Sequence, residues 1–230
     1  MPRFFAEIDR FPVAFIGGRD SIRHILGPLR KKRGDEIAVR IGNQGYRARI
    51  SSVASDKILL DILAEDTLRD RSPAIIHLAL CLIDLKDLDD TIRSTTELGV
   101  SHIHPVISAR SNVRTVTEAR LARWDSIIME AIKQCDRMTI PLIHQPLSLE
   151  AFLSSEAALS GTRLVAHKDA RHSLLEYRGR DCLILIGPEG GLSGDELDML
   201  AARGFIAVGM GNTTLRATTA AISAVAILGC

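Results

Sequence analysis

The sequence predicts an α/β protein in two parts, a small β-barrel over residues 1–72 and a mainly parallel sheet covered by helices over 73–230. Three observations predict it. Short strands crowd the first seventy residues, strand and helix signals alternate after Ala74, and Cys182–Ile186 runs into Gly187-Pro188-Glu189-Gly190-Gly191 and a helix start. Five consecutive apolar residues are too few for a helix and read as a fully buried strand. The glycines beyond them tolerate positive φ and leave room for a ligand beside the backbone, and Pro188 stiffens the loop. Ser193 and Glu196 form a capping box, so a helix begins there.

In the first part, Glu36–Ile41, Tyr46–Val53 and Lys57–Ile62 are separated by Gly-Asn-Gln-Gly and Ala-Ser-Asp turns, the spacing of a small barrel. Tyr46, Ala48 and Ile50 share one face of the middle strand; Arg47 and Arg49 share the other. Arg30-Lys31-Lys32-Arg33 precedes the first of these strands. The stretch from Asp66 to Pro73 is charged, ends in proline and reads as a boundary. Beyond it, strands are predicted at Ile75–Leu80, His102–Ile107, Ile140–Ile143, Arg163–His167, Cys182–Ile186 and Ile206–Val208. Helices are predicted at Leu88–Leu98, Glu118–Gln134, Leu149–Ala158, Gly194–Arg203 and Ala217–Leu228. The last helix is apolar nearly all round and so needs burial on every side, within the chain or against a second copy.

Hydrophobic content of 46% and charged content of 25% are those of an ordinary soluble globular protein. No apolar run approaches the roughly 20 residues that span a bilayer, and the N-terminus lacks a signal-peptide core. Cys81, Cys135, Cys182 and Cys230 are scattered without a C-x-x-C, which fits free thiols in a reducing cytoplasm. His102, His104, His167 and His172 show no metal-ligand spacing, and no metal is expected. The net charge of +1 hides an asymmetry. Residues 1–72 hold 14 Lys/Arg against 10 Asp/Glu, and the rest hold 15 against 18. A basic first part can meet a polyanion, or its charges can simply solvate the barrel.

A second glycine loop, Val208-Gly-Met-Gly-Asn-Thr-Thr-Leu-Arg216, follows the next strand. Both loops come late, whereas a dinucleotide-binding fold carries its glycines after the first strand. No Walker lysine, G-x-S-x-G or H-E-x-x-H motif occurs.

Read as a whole, the chain resembles the RsmE-type 16S rRNA (uracil-N3)-methyltransferases of the SPOUT class. The likeness rests on Arg3-Phe4-Phe5, His24-Ile25, Leu29-Arg30 and Gly34-Asp35, then on Thr96-Glu-Leu-Gly-Val100 and Ser108 with Arg110-Ser111. It continues through Arg123-Trp124, Glu130-Ala131, Gln134, Arg137 and Pro141. Leu185-Ile-Gly-Pro-Glu-Gly-Gly-Leu-Ser193 is its most specific block, and Leu215-Arg216 with Thr219-Ala220 closes it. The resemblance implies a PUA-like RNA-binding barrel before a trefoil-knotted domain that binds S-adenosyl-L-methionine. It also implies a cytoplasmic homodimer acting on 16S rRNA, with the small ribosomal subunit as context.

By the same resemblance, Leu185, Ile186, Gly187, Pro188, Glu189, Gly190, Gly191, Met210, Gly211, Leu215, Thr219 and Ala220 would hold the cofactor. Leu185 and Leu215 would also pack, and Glu189 would orient the nucleotide or, the favoured reading, hold the loop backbone. Arg110 and Arg216 would contact phosphate or uracil oxygens, with a structural ion pair as the alternative. Arg3, Arg30, Lys31, Lys32, Arg33, Arg47 and Arg49 would meet RNA. Trp124 would serve the core or a dimer contact. The family's last loop usually carries a Glu where this chain has Thr218, and Asp84 and Ser94 stand where basic residues are common. Those departures leave open a catalytically impaired RNA-binding paralogue, or an enzyme of the same fold acting on another RNA.

Overall fold

The structure is a computed structural model that describes residues 3–42, 44–66, 74–135, 137 and 139–229. The boundary expected from Asp66 to Pro73 falls almost wholly outside the described residues, as do Cys230 and the side chain of Arg3. Contacts divide the chain into two units, Met1–Asp70 with Asp136–Thr139, and Arg71–Cys135 with Ile140–Cys230.

The first unit contains β1 (Arg3–Phe5), β2 (Glu7–Arg10), β3 (Val13–Gly17), α1 (Arg19–Leu26), β4 (Glu36–Ile41), β5 (Gln44–Val53) and β6 (Lys57–Asp66). Their sheet order is β1-β4-β5-β6-β3-β2. Its two edge strands, β1 and β2, are consecutive and separated only by Ala6. One bending segment thus supplies both edges, and the sheet must curl on itself. Ala48 and Ile50 are buried, whereas Arg47 and Arg49 are exposed, as the alternation requires. Ile22 and Ile25 of α1 join Ile16, Val39, Ile50, Ile58 and Leu60 in the barrel core. Arg40 is 2% exposed. Its guanidinium lies over the Phe5 ring and donates to the carbonyls of Gly42 and Arg137, both at 2.7 Å. β1 to β3 and α1 were not expected. α1 has eight residues and a glycine N-cap without a side-chain bond, so it carries little local signal.

The second unit begins with β7 (Ile76–Cys81), α2 (Leu85–Glu97), β8 (His102–Ile107), α3 (Glu118–Cys135), β9 (Leu142–Ile143), β10 (Leu147–Ser148) and α4 (Leu149–Leu153). It continues with β11 (Thr162–Ala166), β12 (His172–Ser173), β13 (Cys182–Ile186), α5 (Gly194–Ala202), β14 (Ile206–Gly209) and α6 (Ala217–Leu228). The order is β10-β8-β7-β13-β11-β14-β12 with β9 beside β8, and every pairing is parallel. Helices on both faces explain why β13 is apolar and buried along its whole length. Leu183 and Leu185 pack with Phe152, Leu153 and Leu200 on one side. On the other, α6 packs against β7, β13 and α2.

The helix expected at Leu149–Ala158 is instead α4 followed by a 3-10 turn at Glu156–Leu159. Ser154 and Ser155 donate their hydroxyls to the carbonyls of Glu150 and Phe152. Such local bonds compete with helix propagation and end it. Asp84 is the N-cap of α2, its carboxylate accepting from the Lys86 N–H at 2.8 Å. That explains an acid at a position where the resemblance leads one to expect a base. Trp124 is fully buried. Its Nε1–H donates to Asp89 at 3.0 Å, and Arg120 and Arg123 complete the pairing of this 6%-exposed carboxylate.

Candidate functional site

The two glycine loops leave the carboxyl ends of β13 and β14, and His167-Lys168 leaves the end of β11, which lies between those strands. Together they wall a cavity of about 590 Å³. Crevices at the carboxyl ends of parallel strands are where α/β sheets bind ligands. Ile186, Gly187, Pro188, Glu189, Gly190, Gly191, Met210, Gly211, Leu215 and Ala220 all line it, and so do Arg110 and Arg216. Leu185, Thr218 and Thr219 are not in its lining. Leu185 is fully buried in the sheet, Thr218 is half-buried and Thr219 is exposed in the first turn of α6.

The first loop closes through the Gly191 N–H, which donates to the Pro188 carbonyl at 2.8 Å. Gly191 holds φ at +69°, which an L side chain adopts only at a cost; Gly190 does not lie in that region. A Cβ at Gly190 would meet the Arg110 side chain at ordinary distances of 3.5 and 3.6 Å. Arg110 donates from Nη1 to the Gly190 carbonyl at 2.8 Å, so this arginine braces the loop. Glu189 is exposed on the rim. Gly191 and Arg110 both brace the loop backbone.

Arg110 is itself held in place by its neighbours. Ser108 and Ser111 are buried and bond to each other, Oγ to Oγ, at 3.0 Å. The Ser108 N–H donates to Ser111 Oγ, and Arg114 donates to the carbonyls of Ser108 and Ala109. Glu196 joins this segment to the glycine loop. Its Oε2 accepts from the Ser193 N–H at 2.8 Å, completing the capping box of α5. Its Oε1 accepts from the Ala109 N–H at 2.7 Å. One 4%-exposed carboxylate thus fixes the end of the first glycine loop and the start of the segment after β8 that carries Arg110.

Arg110, Lys168 and Arg216 put three cationic side chains around the cavity against the single carboxylate of Glu189. Ile186, Met210, Leu215 and Ala220 supply an apolar wall, and the glycines leave backbone groups open to close approach. Gly191 and Gly211 would have nothing within 4 Å of an added Cβ. The site suits a flat heterocycle with a polar chain, beside a partner that carries negative charge.

An RNA methyltransferase domain model matches residues 70–229. The chain belongs to the RNA methyltransferase family. Within this family, the ribosomal RNA small subunit methyltransferase E of Rickettsia conorii is 29% identical over 213 residues, covering 89% of this chain and 84% of the relative. The solved methyltransferase E of Neisseria gonorrhoeae, bound to S-adenosylmethionine, is 30% identical with a TM-score of 0.82, covering 98% of this chain and 95% of that one. A Legionella pneumophila protein solved with S-adenosylmethionine is 27% identical with a TM-score of 0.80, covering 99% and 96%.

Sequence reasoning missed Ala166, His167, Lys168, Leu192, Val208, Thr213, Thr214 and Ala217 as lining residues of the cavity. The signal was available for the first three. A third strand ending beside the two glycine loops brings its own carboxyl end to the same crevice. It also missed Glu196 as more than a helix cap, because the Ala109 N–H lies 87 residues away in sequence. Among the basic candidates of the first unit, Arg30, Lys32, Arg33, Arg47 and Arg49 are exposed and Lys31 is half-buried. Arg49 pairs with Glu36 at 3.2 Å. No helix among the described residues is long and apolar enough to cross a membrane.

Proposed function

We propose that the protein transfers a methyl group from S-adenosyl-L-methionine to N3 of a uridine in small-subunit ribosomal RNA, in the cytoplasm. The observation that carries this reading is the cavity between the two glycine loops, formed by a chain 30% identical to a methyltransferase E with S-adenosylmethionine bound. The residues fit that cofactor. Glycine backbone and Met210, Leu215 and Ala220 offer a close, apolar bed for adenine, and backbone N–H and C=O groups can read its edge. When bound, S-adenosylmethionine supplies an electrophilic methyl group. The chain must hold the uracil in line with it and favour loss of the N3 proton. Arg110 and Arg216 act here by donating to the uracil oxygens, where anionic charge develops, or to the flanking phosphate. Thr218, in the first turn of α6 just after Arg216, stands where the family usually carries a carboxylate, so the carboxylate is dispensable in this reading.

Arg3, Arg30, Lys31, Lys32, Arg33, Arg47 and Arg49 give the barrel its grip on the RNA backbone. The active form is a homodimer. Ile222, Ala226 and Ile227 are apolar yet only half-buried on α6, and a second copy would cover them. Light scattering at micromolar protein is expected to give twice the chain mass; a monomer with full activity contradicts this part. Calorimetry with S-adenosylmethionine tests the cavity, and Gly190→Val should abolish the heat of binding with the fold intact.

A further inference from the structure

Four histidines converge toward the amino-terminal ends of strands in the parallel sheet, whereas the glycine loops leave carboxyl ends. His77 lies on β7, His102 and His104 on β8, and His144 directly after β9. Register explains the grouping. His77 and His102 are direct cross-strand partners, and the His144 N–H donates to the Ile103 carbonyl, which sets its ring beside His104. Lateral neighbours stack, with ring centroids 4.1 Å apart for His77 and His102 and 4.2 Å for His104 and His144. The diagonals are bonded: His77 Nδ1 lies 3.1 Å from His104 Nε2, and His102 Nδ1 lies 3.1 Å from His144 Nε2. One ligand nitrogen from each of His77, His102 and His104 falls within 4.8 Å of the other two. Sequence spacing gave no hint of this, because two strands and the segment after a third element contribute.

We propose that His77, His102 and His104, with His144 as a fourth ligand or its hydrogen-bonded support, form a binding site for a borderline divalent cation of the zinc type. Neutral imidazoles at a tetrahedral ion, with metal–nitrogen bonds of about 2.0–2.1 Å, lie about 3.3 Å apart. The bonded nitrogens of His77 and His104, 3.1 Å apart, open by a few tenths of an ångström to admit the ion in place of the shared proton. The His102 nitrogen, within 4.8 Å of both, closes by up to about 1.5 Å. Burial lowers all four rings from the usual histidine range, His77 to about 4 and His104 to about 3. They therefore present lone pairs rather than charges at neutral pH. His77, His102 and His144 are only half-buried, which leaves a path for the ion, and Asp181 adds a negative field at His77. An all-imidazole set selects zinc, nickel or copper over magnesium or calcium. The site lies toward the amino-terminal ends of β7 and β8, and the methyl-transfer cavity lies at carboxyl ends, so its role is to staple β7, β8 and the segment after β9.

The test uses tag-free full-length protein stripped with chelator and titrated with zinc chloride by calorimetry. One equivalent is expected with a Kd below about 100 μM. His77→Gln and His102→Gln, each at a half-exposed strand position, should weaken it at least about tenfold, since even outer-shell partners cost that much. The wild-type melting midpoint should rise with zinc, whereas the variants' midpoints should not. Anomalous density from zinc-soaked wild-type crystals supplies a readout that depends on no variant, and it is expected among the three rings. Absence of binding in this range, wild-type affinity in both variants, or anomalous density only elsewhere would each overturn the proposal.

Discussion

Replacing Glu196 by alanine separates two elements that the site needs together. The carboxylate is 4% exposed and accepts two backbone N–H groups, from Ser193 at 2.8 Å and Ala109 at 2.7 Å. A hydrogen bond to a charged acceptor contributes about 1.5–3 kcal/mol, and the Ala109 N–H would be left without its partner. Ser193 still caps α5 through its own hydroxyl at 3.2 Å, so part of the cap survives. The expected net loss is about 2–4 kcal/mol. At about 2–4 °C per kcal/mol for a chain of this size, the melting midpoint should fall by about 5–15 °C. Loosening Ala109 also frees Arg110 from the Gly190 carbonyl, so affinity for S-adenosylmethionine should drop about tenfold, a matter of 1.4 kcal/mol. Glu196→Gln keeps one acceptor but turns an amide NH₂ toward the second donor, and should fall between the two. Circular dichroism melts and calorimetry read both effects. A midpoint within about 2 °C of wild type, with unchanged affinity, would refute the claim that this carboxylate joins the first glycine loop to the segment that carries Arg110.

Three further predictions concern the cavity and the barrel. Gly190→Val should leave the melting midpoint nearly unchanged, because its Cβ meets Arg110 at ordinary distances and φ is not positive. It should still weaken cofactor binding beyond detection by calorimetry, since its methyl groups enter the cavity. Neutralising Arg30, Lys31, Lys32 and Arg33 together should flatten the salt dependence of RNA binding. The slope of log K against log salt should fall by about 3, at 0.7–0.9 per lost phosphate contact, with cofactor affinity intact. Thr218→Glu should preserve turnover and stabilise the protein by about 0.3–1 kcal/mol, because it puts a carboxylate in the first turn of a helix that has no acidic residue there. Labelled-methyl transfer and thermal melts check it, and inactivation would show a site rebuilt around the threonine.

The cavity was legible because its parts are local. Five buried apolar residues, a glycine loop and a Ser193/Glu196 capping box are consecutive, and each constrains the backbone by itself. The barrel was legible at β4 to β6, where alternation and turns coincide. It was not legible at β1 to β3, which are short and whose pairing with β4 and β6 is non-local. The same reason hid Glu196 as the link to Ala109, Asp89 as the partner of Trp124, and the histidine group. Each joins residues more than twenty positions apart through the sheet or between helices. The brace that Arg110 gives the Gly190 carbonyl was hidden in the same way, since it comes from 80 positions away in sequence.

The most direct test of the central claim is methyl transfer itself. Small-subunit RNA, free and assembled, is incubated with the protein and labelled S-adenosylmethionine, and the nucleosides are then mapped by mass. Label in a single N3-methyluridine, lost in Gly190→Val and in Arg216→Ala, is the predicted result. Cofactor binding without transfer to any nucleoside, or label on another base or on ribose, would contradict it.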